Sequence, residues 1–376
     1  MLKLNLSEVL SSVQLEPQPG SGIGDLRDQL FPRVSIDSRT IKAGEAFFAI
    51  KGERFDGHQF LPQVLEQGAR VLVLSDTTDL PPLPEGCVCL KTEDTTAALQ
   101  RLAAFVREQW GKKLLAITGS MGKTTTRHFT ASLLGAGQNV LQSAGNLNNH
   151  IGLPLTLLEI DEHHDSAVVE LGMNHPGEIS QLSSICHPNG ALITNVAPVH
   201  TEFFTSILEV AEAKGEILDY LDPAGTYFYN ADDLLVAGLR DQFSGRHVSF
   251  GLGADADYQV TEFQFKSLQD MAFSIEGPGC LIKGSVPFVG KHFLYNIAAA
   301  TAVALESNLE PQAVQSALNS LRPLPQRGQI LECAGITIWD DTYNSNPEAV
   351  NSLLETLLLV KEYRRKILVL GDMLEL

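Results

Sequence analysis

The chain has 376 residues, 44% of them hydrophobic and 7% aromatic, which suits a globular protein with two or three cored domains. Its formal net charge of -18 argues against a nucleic-acid partner, because phosphate backbones are held by clustered Lys and Arg. Nucleotides stay open, since a loop of backbone amides can cradle phosphates with little positive charge. The five cysteines (Cys87, Cys89, Cys186, Cys280 and Cys333) include no C-x-x-C pair, so neither a zinc site nor a disulfide framework is indicated.

The N-terminal MLKLNLSEVL lacks the basic start and apolar run of a signal peptide, and no apolar stretch of about 18 residues could span a bilayer. A cytoplasmic setting without membrane insertion is expected. No internal repeat or low-complexity tract stands out. Short aliphatic runs predict strands at 34–37, 46–50, 70–74 and 87–90, with a proline-rich stretch at 80–84 and a helix over 99–109. A strand at 114–118, a glycine loop, a helix from Lys123, and strands at 167–171 and 191–196 then follow the rhythm of a parallel sheet with crossover helices.

The glycine loop is Ala116-Ile-Thr-Gly-Ser-Met-Gly-Lys-Thr-Thr-Thr126. It departs from the strict G-x-x-x-x-G-K-[ST] phosphate-loop pattern, because Ile117 stands where the first glycine belongs and a glycine comes at 119 instead. Strand, loop and helix are nevertheless in the right order, and Gly122-Lys123-Thr124 is intact. Backbone N–H groups from Gly119, Ser120, Met121, Gly122 and Thr125, with the helix dipole, would crowd phosphate oxygens. Lys123 would neutralise the β and γ phosphates, and the Thr124 hydroxyl would reach Mg²⁺. The bland alternative is a glycine turn that caps a helix.

Ser206-Ile-Leu-Glu209 has capping-box spacing, so another helix should start there. Ile207, Val210, Ala211, Ile217, Leu218 and Leu221 fall on one stripe of it, and Glu209, Glu212, Glu216 and Asp219 on the other side. Lys214 sits in the apolar stripe, where a protonated amine is costly. Either it snorkels to the surface, or it is a neutral amine able to take up CO₂ as a metal-binding carbamate. Glu170 ends one strand and His200 follows another, and strand C-termini of an open parallel sheet line the ligand crevice. Both could hold Mg²⁺ there, or sit in ordinary surface loops.

A third region opens near 321–327, after a helical pattern at 311–321, and offers a strand at 337–341, a helix at 347–361 and a strand at 366–370. These roughly 50 residues fall short of a usual domain. A buried last strand with nothing to cover it would mark a domain cut short.

Together these segments resemble the Mur ligase family along nearly the whole chain. Asp37-Ser-Arg39, Gly44, Phe47 and Gly52…Asp56-Gly-His58 look like its UDP-sugar-binding domain, which makes Ser38, Arg39, Asp56 and His58 expected contacts. Thr118–Thr126 matches the ATP loop, with Met121 where asparagine is usual. Gly145-Asn-Leu-Asn-Asn149, which carries Asn146 and Asn149, Glu170-Leu-Gly-Met173, Asn195…His200 and Ala213-Lys-Gly-Glu216 match further segments. The resemblance implies that Thr124, Glu170, His200 and a carbamoylated Lys214 hold Mg²⁺, two ions in all.

His292-Phe-Leu-Tyr-Asn296 matches the adenine-side H-N-x-x-N in part, since Phe293 replaces an asparagine. Arg327 and Asp340-Asp-Thr-Tyr-Asn-Ser-Asn-Pro347 resemble the signature of the branch that adds D-Ala-D-Ala, so Arg327 and Asp341 are expected at the nucleotide. The implied architecture is a UDP-sugar-binding α/β domain over 1–108, a P-loop ATPase domain with a mostly parallel sheet over 109–322, and part of a Rossmann-like ligase domain over 323–376. The implied reaction joins UDP-MurNAc-tripeptide to D-Ala-D-Ala with ATP, in a monomer, with domain closure to exclude water. Two rivals remain: a relative that adds another amino acid, and a nucleotide- or UDP-sugar-binding protein without catalysis.

Overall fold

The structure, a computed structural model, describes residues 2–18, 29–198 and 203–373. They form two compact units: residues 1–112 with 147–163, and residues 113–146 with 164–376.

The first unit begins with helix α1 (Leu6–Val13), β1 (Glu16–Pro17), β2 (Val34–Ser35), β3 (Ala46–Phe48), α2 (Leu61–Glu66), β4 (Val71–Leu74), β5 (Val88–Lys91) and α3 (Thr95–Trp110). Its five-stranded sheet runs β1-β5-β4-β3-β2, parallel except for β1. The runs Ala46-Phe-Phe48 and Val71-Leu-Val-Leu74 are buried residue for residue, as expected of parallel strands covered on both faces. Helix α3 starts where Asp94 Oδ1 accepts the N–H groups of Thr96 (2.7 Å) and Ala97 (3.0 Å). It stops at Gly111, whose φ of +64° suits a residue without Cβ. The chain returns at 147–163, where the helix Gly152–Leu158 packs on α3.

The second unit opens with β6 (Lys113–Thr118), α4 (Lys123–Leu134) and β7 (Val140–Gln142). The returning helix just named is α5. Then come β8 (Ser166–Glu170), α6 (Glu178–Cys186), β9 (Gly190–Ile193), α7 (Ile207–Gly215), β10 (Thr226–Asn230), α8 (Leu234–Gly238) and β11 (Arg246–Gly251). After β12 (Tyr258–Ser267), β13 (Asp270–Gly277) and β14 (Cys280–Val286) follow α9 (Lys291–Glu306) and α10 (Pro311–Asn319). The nine-stranded sheet has the order β14-β13-β12-β11-β10-β9-β6-β8-β7. It is parallel from β7 to β12 and antiparallel from β12 to β14. The alanine-rich α9 is buried along most of its length and packs on α4. This parallel-dominated α/β architecture agrees with the sequence. The strands β10 to β14 are absent from the sequence reading; of these, β12–β14 is a meander with polar residues on its wet face rather than a β/α repeat.

The region beyond 321 holds a hairpin, β15 (Gln329–Cys333) and β16 (Ile336–Asp340), and helix α11 (Pro347–Leu359), capped by Asn346 Oδ1 on the Ala349 N–H at 2.8 Å. The strand expected at 366–370 does not form, nor is the segment buried: Ile367 is 71% exposed and Val369 88%. Among the described residues no strand pairs with it, and without a ladder partner an apolar run has no reason to stay extended.

Candidate active site

The site lies in the second unit, at the C-terminal ends of β6, β8 and β9. The loop after β6 is shaped by two glycines. At Gly119 (φ +145°) a Cβ would lie 1.9 Å from Thr194 Oγ1, and at Gly122 (φ +79°) it would lie 2.8 Å from Asn296 Oδ1. Only glycine lets the loop pass this close to its neighbours. Lys123 Nζ donates to the carbonyls of Gly119 (2.8 Å) and Ser120 (3.3 Å), so the amine lies folded along the loop. The first-turn amides of α4 have no acceptor within the helix and face the same space.

Other groups brace this loop from behind. Ser120 N–H donates to the Asn195 carbonyl at 2.9 Å, and Ser120 Oγ exchanges bonds with Ala197, donating to its carbonyl (3.1 Å) and accepting its N–H (2.9 Å). The Asn195 side chain binds both backbone groups of Met121: Oδ1 accepts the N–H (2.9 Å) and Nδ2 donates to the carbonyl (3.1 Å). Thr194 Oγ1 donates to that carbonyl as well, at 2.6 Å. Thr126 Oγ1 donates to Asn296 Oδ1 at 3.1 Å, so Asn296 touches the loop and its helix directly.

Cations gather here in a chain that is acidic as a whole. Arg127, one turn after Lys123 on α4, is buried and stands 3.6 Å from Glu170 Oε2 at the end of β8. Burial lowers the Arg127 and Lys123 pKa values, and the Glu170 charge opposes this in both. Arg327 Nη2 donates to Thr124 Oγ1 at 3.2 Å while its guanidinium lies over the Tyr343 ring, 4.0 Å from the centroid. This tie brings the stretch after α10 onto the phosphate loop. Asp341 lies nearby; burial raises its pKa, against the Gly328 N–H and the charge of Arg327.

Lys214 is 2% exposed, in the last turn of α7, so it does not snorkel to the surface. Burial pushes its amine far below the ordinary lysine value, and the positive charge of Lys123 pushes it further. Val210, Ala211, Ile217, Leu218 and Leu221 of the same stripe are buried, while Ile207 is 38% exposed at the start of the helix. The predicted cap is present in half. Ser206 Oγ accepts the Glu209 N–H at 3.2 Å, but the Glu209 carboxylate turns to the N–H and hydroxyl of Thr205. Glu216, expected on the polar side, accepts the N–H groups of Gly177 (2.7 Å) and Ser180 (3.1 Å), thereby capping α6. His200 lies outside the described residues.

In the first unit, each residue expected at a UDP-sugar has a structural partner. Arg39 grips Asp37 through Nε (2.9 Å), Nη2 (2.7 Å) and its backbone N–H (2.9 Å). That grip holds the Asp37 carboxyl near 2. Ser38 is buried, and its carbonyl accepts from Gln63 at 3.1 Å. Asp56 Oδ1 meets His58 Nδ1 at 2.6 Å, and the opposite ring nitrogen accepts the Ser75 N–H at 3.1 Å. Asn149 Oδ1 caps α5 through the N–H groups of Ile151 (3.2 Å) and Gly152 (2.8 Å). Asn146, in the other unit, is exposed. Sequence reasoning did not single out Thr194 or Arg127, and it named Asn195 only as the start of the matched segment Asn195…His200, with no role.

The comparisons with known proteins bear on this arrangement. Residues 117–304 match the Mur ligase middle domain and residues 31–107 the catalytic domain of the Mur ligase family. The chain is 35% identical, over 99% of its length and 78% of the other's, to the UDP-N-acetylmuramoyl-tripeptide--D-alanyl-D-alanine ligase of Bacillus subtilis. The chain belongs to the Mur ligase family. The Escherichia coli ligase of the same name is 36% identical, over 91% of this chain and 75% of that one. Among solved structures, MurF from Acinetobacter baumannii superposes with a TM-score of 0.87 at 32% identity, over 96% of this chain and 77% of that one. The MurF ligase of Thermotoga maritima in complex with ADP gives 0.78 at 27% identity, over 88% and 75%. Against the Mur ligase fold, the phosphate loop, Glu170 and Lys214 fall within the middle-domain match, whereas Arg327 and Asp341 lie beyond it.

Proposed function

We propose that this Mur ligase uses ATP to join D-alanyl-D-alanine, through its amine, to the terminal carboxylate of UDP-N-acetylmuramoyl-tripeptide. The names of its relatives, from about a third identity over most of both chains, support that substrate pair. The observation that carries the chemistry is the cluster of Lys123, Arg127 and Arg327 beside a glycine-shaped loop at the sheet's C-terminal edge. A triphosphate is the ligand that such a cluster suits in a chain of net charge -18.

In the first step a carboxylate oxygen of the tripeptide attacks the γ-phosphorus. The bond to the β–γ bridging oxygen breaks, giving an acyl phosphate and ADP. The dipeptide amine then attacks the acyl carbon, loses a proton, and inorganic phosphate leaves as the amide forms. Two anions must approach one another in the first step, so Lys123 and the α4 amides lower the barrier by neutralising the γ-phosphoryl oxygens. Arg327, already on Thr124, brings its charge to the same oxygens.

Magnesium fits the donor set. The Thr124 hydroxyl and the buried Glu170 carboxylate are hard oxygen ligands, and a carbamate on Lys214 would add two more. Thr124, Glu170, Lys214 and His200 would hold two Mg²⁺ ions, whose charge offsets that of the triphosphate. The neutral form of Lys214, favoured by burial, is the form able to capture CO₂. Asn296 and Asp341 are assigned to the nucleotide; Ser38, Arg39, Asp56, His58, Asn146 and Asn149 to the UDP-sugar. Work is divided among residues 1–108, joined by Asn146 and Asn149, for the sugar nucleotide, the rest of 109–322 for ATP and 323–376 for closing on the nucleotide. The enzyme is assigned to the cytoplasm and acts as a monomer.

A coupled assay of phosphate release tests this reading. UDP-MurNAc-tripeptide, D-Ala-D-Ala and ATP–Mg²⁺ together should release phosphate, and leaving out the dipeptide should reduce the rate at least tenfold. Tight ATP binding with no ADP formed from the full mixture would defeat it.

A further inference from the structure

The phosphate loop departs from the strict pattern at its first glycine, and groups outside it share in holding its shape. The described residues show which groups these are. The Asn195 carboxamide meets the backbone of Met121 at two points, N–H to Oδ1 at 2.9 Å and Nδ2 to carbonyl at 3.1 Å, as a neighbouring strand would. Its own backbone carbonyl takes the Ser120 N–H at 2.9 Å. Thr194, 4% exposed, adds a 2.6 Å bond to the Met121 carbonyl, and Ser120 Oγ closes the zipper on Ala197.

These bonds have a chemical consequence. The N–H groups of Ser120 and Met121, which the bare loop would aim at phosphate, are committed to residue 195. The cradle is thereby restricted to Gly122 and the first turn of α4, whose amides have no intrahelical acceptor. The Met121 carbonyl is likewise engaged, by Asn195 Nδ2 and Thr194 Oγ1. Lys123 completes the arrangement, folded over the carbonyls of Gly119 and Ser120.

We propose that Asn195, assisted by Thr194, is the positioning residue for nucleotide binding: its side chain reads the Met121 backbone and so fixes which amides of the loop reach the phosphates. The inference rests on the nucleotide reading given above. Asn195 acts through the backbone of Met121 and Ser120, so its effect should appear in affinity for the nucleotide and not for the sugar substrate.

The test compares the full-length protein with Asn195→Ala, Thr194→Val and the double variant, with ADP–Mg²⁺ as the calorimetric probe and steady-state KM values for ATP and UDP-MurNAc-tripeptide as second readouts. Thr194→Val is nearly isosteric and keeps a folded comparison in hand if Asn195→Ala folds poorly. Two lost hydrogen bonds predict ADP binding about tenfold or more weaker in Asn195→Ala and a few-fold weaker in Thr194→Val, with KM rising for ATP alone. Both act on the one Met121 carbonyl, so the double variant should lose less than the product of the two. Wild-type protein that takes up no ADP sinks the nucleotide reading and this inference together. Wild-type binding with unchanged variants, or KM values raised equally for both substrates, or strictly multiplicative losses, overturns the inference alone.

Discussion

Lys214 is the residue on which the most chemistry turns. A lysine in an apolar stripe has two physical outcomes, and spacing alone does not choose between them; its 2% exposure does, because a snorkelled ammonium would keep its head in water. The folded-state pKa lies below the unfolded value, so the folded protein binds fewer protons. The cost of the buried amine is therefore full below the lowered folded-state pKa and fades as pH rises from there toward the ordinary 10.5. Capture of CO₂ by the neutral amine removes that cost by a different route. Labelled bicarbonate should thus give a protein-bound carbamate carbon signal in the wild type at pH 8, which disappears on acidification and is absent from Lys214→Ala. The same variant should lose phosphate release by at least about a hundredfold, the scale on which a group fixing transition-state charge acts. Added formate or acetate should restore part of it; normal unaided turnover would show that Lys214 has no such role.

Among elements, what was readable and what was not divides along physical lines. Strands β3, β4, β6 and β8 were legible because apolar runs buried on both faces differ from anything a helix requires. The meander β12–β14 was not, since one face is wet, and 366–370 looked like a strand only because its composition says nothing about a partner. The phosphate loop was read from its residues, but the part Asn195 plays in it was not, as its hold on Met121 joins positions 74 apart. Glu216 is a similar case, a charged residue whose role depends on α6. It caps that helix and lies two residues beyond Lys214. Glu216→Ala should cost about 1 kcal/mol, the usual worth of a lost cap, read as a lower urea midpoint at unchanged slope. Strand β5 offers a chemical probe of its own. Burial raises the Cys87 and Cys89 thiols to about 11, whereas Cys333 is exposed. Iodoacetamide at pH 8 should label Cys333 within minutes and reach Cys87, Cys89 and the buried Cys186 only in denaturant; early labelling at 87 or 89 would mean that the sheet opens in the native state.

At the scale of the whole molecule, the chain does not divide into units in the order it is written. The first unit needs residues 147–163, although 34 residues of the second unit come before them. Leu153, Leu157 and Ile160 are fully buried there and Leu158 nearly so. At about 1.5–3 kcal/mol for each buried side chain, these four contribute roughly 6 kcal/mol or more, comparable with the stability of an entire domain. Polar ties add to this: Gln100 Nε2 donates to the His150 carbonyl at 2.9 Å, and the Glu162 carbonyl and carboxylate each take a lysine, Lys112 and Lys3, at 3.1 Å. At Gly152 even a methyl group would press to 2.6 Å from the Leu147 backbone, so this segment is fitted tightly into its place. A fragment ending at residue 112 should therefore be largely unfolded at 25 °C. The same fragment carrying 147–163 on a flexible glycine-serine linker should unfold cooperatively in urea, with dispersed amide resonances. Equal midpoints for the two would show that α3 does not depend on α5, and a boundary near 108 would then describe a self-sufficient sugar-nucleotide domain.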